Sequence, residues 1–314
     1  MNHASAQKMR FPVGQIQDGS VTDFDLFLDM KGEQVLYATP GYLWTREETT
    51  RLLAAGMSEF LVRPEQALQV QMYKDLAKLP LIEREQEPRI RIKSIEDIAV
   101  GFTKCLYAGE VTQAAVRYGE RIARGMIECL MEKPDVIKEI GGLVDHDQYT
   151  YLHSSRVAVF STAMALRMDV TDEGHLVRIA SGGLFHDVGK KDIPLSVINK
   201  PGALSEAEWA QMRAHPEKGH GMLEASGLSV DTLEIVLHHH ERMNGGGYPH
   251  GLDQGAIMTE VQIAAVADIY DALTSARSYQ KRRTRYEALD FMKHKLLGHD
   301  ISPAAFRALV AALT

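Results

Sequence analysis

LFHDVGK, residues 184–190, decides how this chain reads, because it sets a histidine beside an aspartate where a helical pattern breaks. Adjacent residues on an ideal helix point about 100° apart. His186 and Asp187 therefore serve one site only near a helix end, and Gly189 and Pro194 supply that end. The same argument holds for VLHHHERMNGGGYP (236–249), where Asn244, Gly245, Gly246 and Gly247 break the helix just after His239 and His240. His238 completes a triple; it is read as the non-ligand because the other two sit closer to the break. Three more candidates follow, namely His153 in TYLHSSRV, His215 in MRAHPEKG and Asp268 in VADIYDAL. Imidazoles and carboxylates together suit iron, manganese or zinc, and seven such groups are too many for one ion. Two ions sharing Asp187 as a bridging carboxylate use them all.

Each candidate also has a plainer explanation. A lone histidine such as His153 on an apolar helix face is commonly a hydrogen-bonded core residue. Asp268 sits in a helix that is apolar nearly all round, where an unpaired carboxylate costs several kcal/mol. Asp271, one turn on, leaves a helix-cap or polar-network explanation open. Lys190 could set an ammonium against a phosphate oxygen, or simply face solvent beside Lys191. Two cations a few ångströms apart lower the pKa of a bridging water and neutralise an in-line phosphoryl transition state. The pattern thus points to a binuclear phosphoesterase centre.

Twelve of the thirteen histidines lie between His146 and His299, which assigns this chemistry to the second half of the 314-residue chain. Net charge is -7, which argues against nucleic-acid binding, although bound cations would still admit an anionic substrate. Cys105 and Cys129 are too few for a disulfide framework. No signal core stands at the N-terminus, and no run of about 18 apolar residues suggests a membrane span. The expectation is a cytoplasmic protein without a membrane segment.

The fold class expected is mainly α, an all-α helical bundle preceded by a small α+β domain. In residues 1–85, FDLFLDM (24–30), QVLYAT (34–39) and EFLVRP (59–64) read as strands. REETTRLLAAG (46–56) and residues 65–79 read as helices. Residues 86–109 form a linker and connecting helix, with helical periodicity setting in from Ser94, and 110–314 form the larger domain. Long segments such as VTQAAVRYGERIARGMIECLM (111–131) and QYTYLHSSRVAVFSTAMAL (148–166) carry apolar residues at three- and four-residue spacing. Ser205 with Glu208 predicts a capping box, and Thr259 opens a helix expected to be buried.

HDVGK together with HHERMNGGGYPHGL resembles the HD-GYP family, a branch of the HD-domain metal-dependent phosphohydrolases. YTYLHSSRVA, DIPLSVINKPGALSEAEW, HPEKG and VADIYDALTSARSY follow in the family's order, so the resemblance spans roughly 110–314. It implies an HD-domain bundle and a cyclic di-GMP phosphodiesterase that makes linear pGpG through a metal-bridging hydroxide, using iron or manganese. By the same resemblance, His153, His186, Asp187 and Asp268 hold one ion, and Asp187, His215, His239 and His240 the other. Asp187 and Lys190 are then the catalytic residues, with Lys190, Gly247, Tyr248 and Arg277 binding substrate, Lys190 and Arg277 through its phosphates. The family also implies contacts of the GYP loop with diguanylate cyclases or other signalling proteins, and it leaves room for a homodimer.

Three departures stand out. Tyr149 occupies the position of an acidic residue that serves a third metal in some members, which favours two ions and a reaction stopping at pGpG. Asn244 replaces the usual aspartate of the HHE-xx-DG segment, and Gln280 a usual lysine. The last two argue mildly for an alternative, a cyclic di-GMP receptor or docking module with vestigial hydrolysis. A general HD nucleotidase is a third reading, disfavoured by the GYP loop. The N-terminal unit resembles small accessory domains and lacks a receiver's acidic pocket.

Overall fold

The computed structural model describes residues 9–79, 87–109, 111–139, 149–200, 202–275 and 282–314. The chain divides into two compact units, Met1–Leu81 and Ile82–Thr314.

The first unit is built on an antiparallel sheet in the order β1-β6-β3-β4, from β1 (Met9–Pro12), β3 (Leu26–Met30), β4 (Glu33–Ala38) and β6 (Glu59–Val62). A second ribbon pairs β2 (Val21–Thr22) with β5 (Tyr42–Leu43). The sequence reading found β3, β4 and β6 but not β1, whose four residues are too short to show an alternation; its pairing with β6 defines it. Phe11, Phe24, Trp44 and Phe60 are fully buried, and edge-to-face aromatic contacts close this small core. α1 (Arg46–Ala54) is capped by Thr45, whose side chain accepts from the Glu48 N–H. The helix expected over 65–79 is a 3-10 turn at Pro64–Gln66 followed by α2 (Ala67–Leu76).

The second unit is helical. α3 runs Pro88–Ala108, so the helix begins six residues before Ser94. Proline at its first turn is preorganised for a helix, and buried Arg91 pairs with Glu132 at 2.5 Å, which fixes that early start. α4 (Gln113–Glu132), α5 (Tyr149–Leu166) and α6 (Glu173–Phe185) follow. A short α7 (Leu195–Ile198) leads to α8 (Glu206–Arg213), which opens with the expected reciprocal capping box of Ser205 and Glu208. Next come α9 (His215–Leu223), α10 (Val230–His238), α11 (Thr259–Thr274), α12 (Arg285–Lys295) and α13 (Pro303–Leu313). α11 is buried along most of its length, as its all-round apolar pattern demands. No helix among the described residues is long and apolar enough to cross a membrane.

Gly183 lets α6 lie directly on α5. A Cβ there would stand 2.7 Å from Ala158 Cα and 2.8 Å from Ala158 N, backbone atoms that no rotamer change can move. That close crossing carries the end of α6, with His186 and Asp187, toward His153 on α5. Gly183→Val is expected to destabilise the protein by about 2–3 kcal/mol, read as a lower urea midpoint. Gly221→Ala, where a Cβ meets nothing within 4 Å, is expected to stabilise it by about 0.5–1 kcal/mol.

Candidate metal centre

Helix ends supply most of the site. His186 is the C-cap of α6, and Asp187 leads into a 3-10 turn at Val188–Asp192. His239 is the C-cap of α10 with His240 next, and His215 opens α9. His153 projects from α5 and Asp268 from α11. All are buried except His240, which is partly exposed.

These seven side chains converge in two groups. One ligand atom from each of Asp187, His215, His239 and His240 lies within 4.8 Å of the others, and His153, His186 and Asp268 form a second such group. Asp187 faces both. Its Oδ2 is 3.3 Å from His186 Nε2 and 3.7 Å from His153 Nε2. Its Oδ1 is 3.3 Å from His215 Nε2 and 3.9 Å from His239 Nε2. Asp268 closes the first group at 3.1 Å from His153 Nε2, and its other oxygen is 3.7 Å from His240 Nδ1.

Hydrogen bonding fixes which nitrogens are free to bind. His186 Nδ1 donates to Gly183 O (2.7 Å), His215 Nδ1 to Met212 O (2.7 Å) and His239 Nδ1 to Val236 O (2.9 Å). A carbonyl can only accept, so each Nδ1 carries the proton and each Nε2 of a neutral ring presents a lone pair. Burial, joined by Lys190 near His215 and by neighbouring imidazoles near His239, pushes both rings' pKa values down and keeps them neutral. Burial likewise holds His240 well below the usual histidine range. Two lone pairs, on His215 Nε2 and His239 Nε2, then face each other at 3.2 Å. His186 Nε2 and Asp187 Oδ1 are buried without a hydrogen-bond partner. A donor set of this kind fits divalent cations.

The carboxylates are ready to meet them. Burial opposes ionisation of Asp187, but His186 and Lys190 outweigh it and hold the carboxyl well below its usual range. Asp268 is held down in the same way, against burial, by His153 and His240. His153 is resisted by burial yet raised to about 9 by its bonds to Asp268 and Asp271. Its Nδ1 lies 2.8 Å from Asp271 Oδ2, so Asp271 orients the ring and leaves Nε2 aimed at the site. The sequence reading kept Asp271 only as a rival explanation of Asp268. The signal was its position three residues on, along the same helix face.

Around the metal-binding groups, Lys190 Nζ sits 2.5 Å from Asp187 Oδ2. The Tyr248 ring stacks at a tilt on His240, 4.6 Å between centroids, and its N–H donates to His240 O. Burial, reinforced by Asp268 and Asp187, raises the Tyr248 phenol, which stays protonated and able to donate. Arg213, not singled out from the sequence, places its guanidinium 5.9 Å from that ring. Gly247 packs on the backbone of Glu241 and Arg242, where a Cβ would come within 2.4 Å. Asn244 donates to Asp300 Oδ1 at 2.8 Å and accepts from the Gly246 N–H. An aspartate there would set carboxylate against carboxylate, which accounts for the amide. Arg277 and Gln280, and the side chain of Tyr149, lie outside the described residues.

A family model described as HD domain matches residues 140–299. Cyclic di-GMP phosphodiesterase PA4108 of Pseudomonas aeruginosa is 39% identical over 186 residues, covering 59% of this chain and 44% of that protein. Response regulator RpfG of Xanthomonas campestris, also named a cyclic di-GMP phosphodiesterase, is 34% identical, covering 58% of this chain and 49% of that protein. The 3'3'-cGAMP-specific phosphodiesterase 3 of Vibrio cholerae is 33% identical over 57% of this chain and 38% of its own. The chain thus spans less than half the length of these curated relatives. Among solved structures, Bd1817, an HDG"Y"P protein from Bdellovibrio bacteriovorus, shares the fold. Its TM-score is 0.67 at 17% identity, covering 97% of this chain and 99% of that one.

Asp187→Ala is expected to remove both metal ions, because both groups share that carboxylate. Asp271→Asn is expected to weaken only the ion on the His153 side, by about 10–100-fold. Elemental analysis of the two purified variants separates these outcomes; full metal content in Asp187→Ala would overturn the shared-ligand reading.

Proposed function

We propose, from the premise that this chain belongs to the HD domain family and to its HD-GYP branch, that it is a metal-dependent phosphodiesterase hydrolysing cyclic di-GMP to linear pGpG. One observation carries the proposal: the two oxygens of Asp187 are divided between two groups of converging imidazoles, three of which bond a carbonyl through Nδ1 and turn Nε2 toward the site. His153, His186, Asp187 and Asp268 would hold one divalent ion, and Asp187, His215, His239 and His240 the other, with iron or manganese favoured. Held by these residues, divalent ions would lower the pKa of water and set positive charge against the phosphate oxygens.

The chain's own groups do the rest. Asp187 is held ionised, so its carboxylate serves as a ligand and hydrogen-bond acceptor and not as a proton donor. Lys190 brings an ammonium to the edge of the site, within reach of a phosphate oxygen once its contact with Asp187 loosens. Tyr248 donates from a phenol that burial keeps protonated. Arg213 adds positive charge beside it, suited to the second phosphate of a dianionic cyclic dinucleotide. Substrate contacts by Gly247 and Arg277 are part of the same proposal.

The relatives act on two substrates by name, cyclic di-GMP and 3'3'-cGAMP. Both should therefore be offered to protein reconstituted anaerobically with Fe(II) or Mn(II), and the products separated by chromatography. Preferential conversion of cyclic di-GMP to pGpG is the expected result. Faster turnover of 3'3'-cGAMP would reassign the substrate, and bound but intact nucleotide would make the protein a receptor. Tyr248→Phe is expected to keep its metal and lose about 10–100-fold in kcat/KM through one missing hydrogen bond to charged phosphate. Metal loss in that variant would show that the tyrosine supports the ligands instead.

A further inference from the structure

His238, the member of the histidine triple set aside as a non-ligand, belongs to a second constellation. One ligand atom from each of His238, Glu241 and His250 lies within 4.8 Å of the others. His238 is 7% exposed, and its Nδ1 is buried without a hydrogen-bond partner. That nitrogen stands 3.7 Å from Glu241 Oε1, too far for a hydrogen bond but close to the spacing of two ligands on one ion. The His250 ring lies 5.1 Å from the His238 ring between centroids. On its other side, His238 Nε2 is 3.4 Å from Glu234 Oε2, one turn back on α10. A carboxylate behind the ring holds the proton on Nε2 and leaves a lone pair on Nδ1. His153 and Asp271 use the same device.

Glu241 is 2% exposed and is itself held in place. Its Oε1 accepts from the His250 N–H at 2.7 Å, and its Oε2 from the Leu252 N–H at 2.9 Å. Each oxygen keeps a lone pair. His250 is exposed, which gives a metal ion a route in from solvent.

We infer that His238, Glu241 and His250 form a separate site for one zinc-class divalent cation, which ties the end of α10 to the loop carrying Tyr248. Two imidazoles and a carboxylate are a three-ligand zinc set, with water completing the tetrahedron. None of its ligands is shared with the Asp187-centred groups. The site therefore does not depend on the phosphodiesterase reading. Zinc there closes the ring from His238 through Glu241 to His250 and restrains the eleven residues 239–249 between them.

The test is a zinc titration of the full chain with total metal counted by elemental analysis, comparing the natural sequence with His250→Ala. The exposed imidazole can be removed without opening the core. The expected difference is about one equivalent of zinc, bound at least about tenfold more weakly in the variant. Repeating the pair in an Asp187→Ala background separates the two sites. About one equivalent should remain there and vanish on adding His250→Ala. Hydrogen exchange supplies an independent readout, with amides of residues 245–252 slowed about tenfold by zinc in the natural sequence and unchanged in His250→Ala. Equal zinc content in each pair, or exchange insensitive to zinc, overturns the proposal. Metal content that Asp187→Ala leaves unchanged, with one equivalent still lost on His250→Ala, would overturn the binuclear reading and leave this one standing.

Discussion

A buried anion governs the helical unit. Asp187 is 1% exposed, and a carboxylate so placed costs several kcal/mol unless cations and hydrogen-bond donors meet both of its oxygens. Lys190 meets Oδ2, and four imidazoles surround the carboxylate, His153 on α5, His186 beside it, His215 on α9 and His239 at the end of α10, while Oδ1 is left without a hydrogen-bond partner. The crossing of α5 and α6 at Gly183 and the burial of α11 behind Asp268 both bring ligands to that carboxylate. A bundle that merely buried leucines would need neither feature. The packing is accordingly arranged around a charge that faces two groups of side chains able to hold a metal ion.

Helix ends explain why the ligands come in doublets. The last turn of a helix leaves its carbonyls without intrahelical donors. A histidine at the C-cap can donate its Nδ1–H to the carbonyl three residues back, and His186 and His239 both do so. One bond satisfies the backbone, selects the tautomer and turns Nε2 away from the helix. The next residue, already outside the helical path, can then point to the same place. Asp187 and His240 occupy those positions.

This geometry is also why so much of the site was legible. The doublets, the breaking glycines and the lone His153, His215 and Asp268 carry residue types that core packing rarely requires together, and all seven converge. What stayed hidden is what depends on tertiary placement. Asp271 becomes an orienting carboxylate only because α11 packs beside α5, Arg213 only because the end of α8 reaches the Tyr248 ring. Glu241, which the sequence did not single out, is buried as the acceptor for two backbone N–H groups. In the first unit, β1 is too short to read by periodicity and exists through its partner β6. α3 begins before its apolar repeat because Pro88 and the Arg91–Glu132 pair extend it backwards.

Asp271 also connects the metal centre to the first helix of its unit. Its Oδ2 holds His153, while its Oδ1 is 3.8 Å from Arg156 Nη1. Arg156 in turn lies 3.5 Å from Glu96 Oε1 on α3 and donates to Ser275 Oγ at the end of α11. All of these groups are buried, where charges interact more strongly than they do in water. Glu96 on α3 thus reaches the bond that aims His153 through Arg156 and Asp271, by charge rather than by bulk.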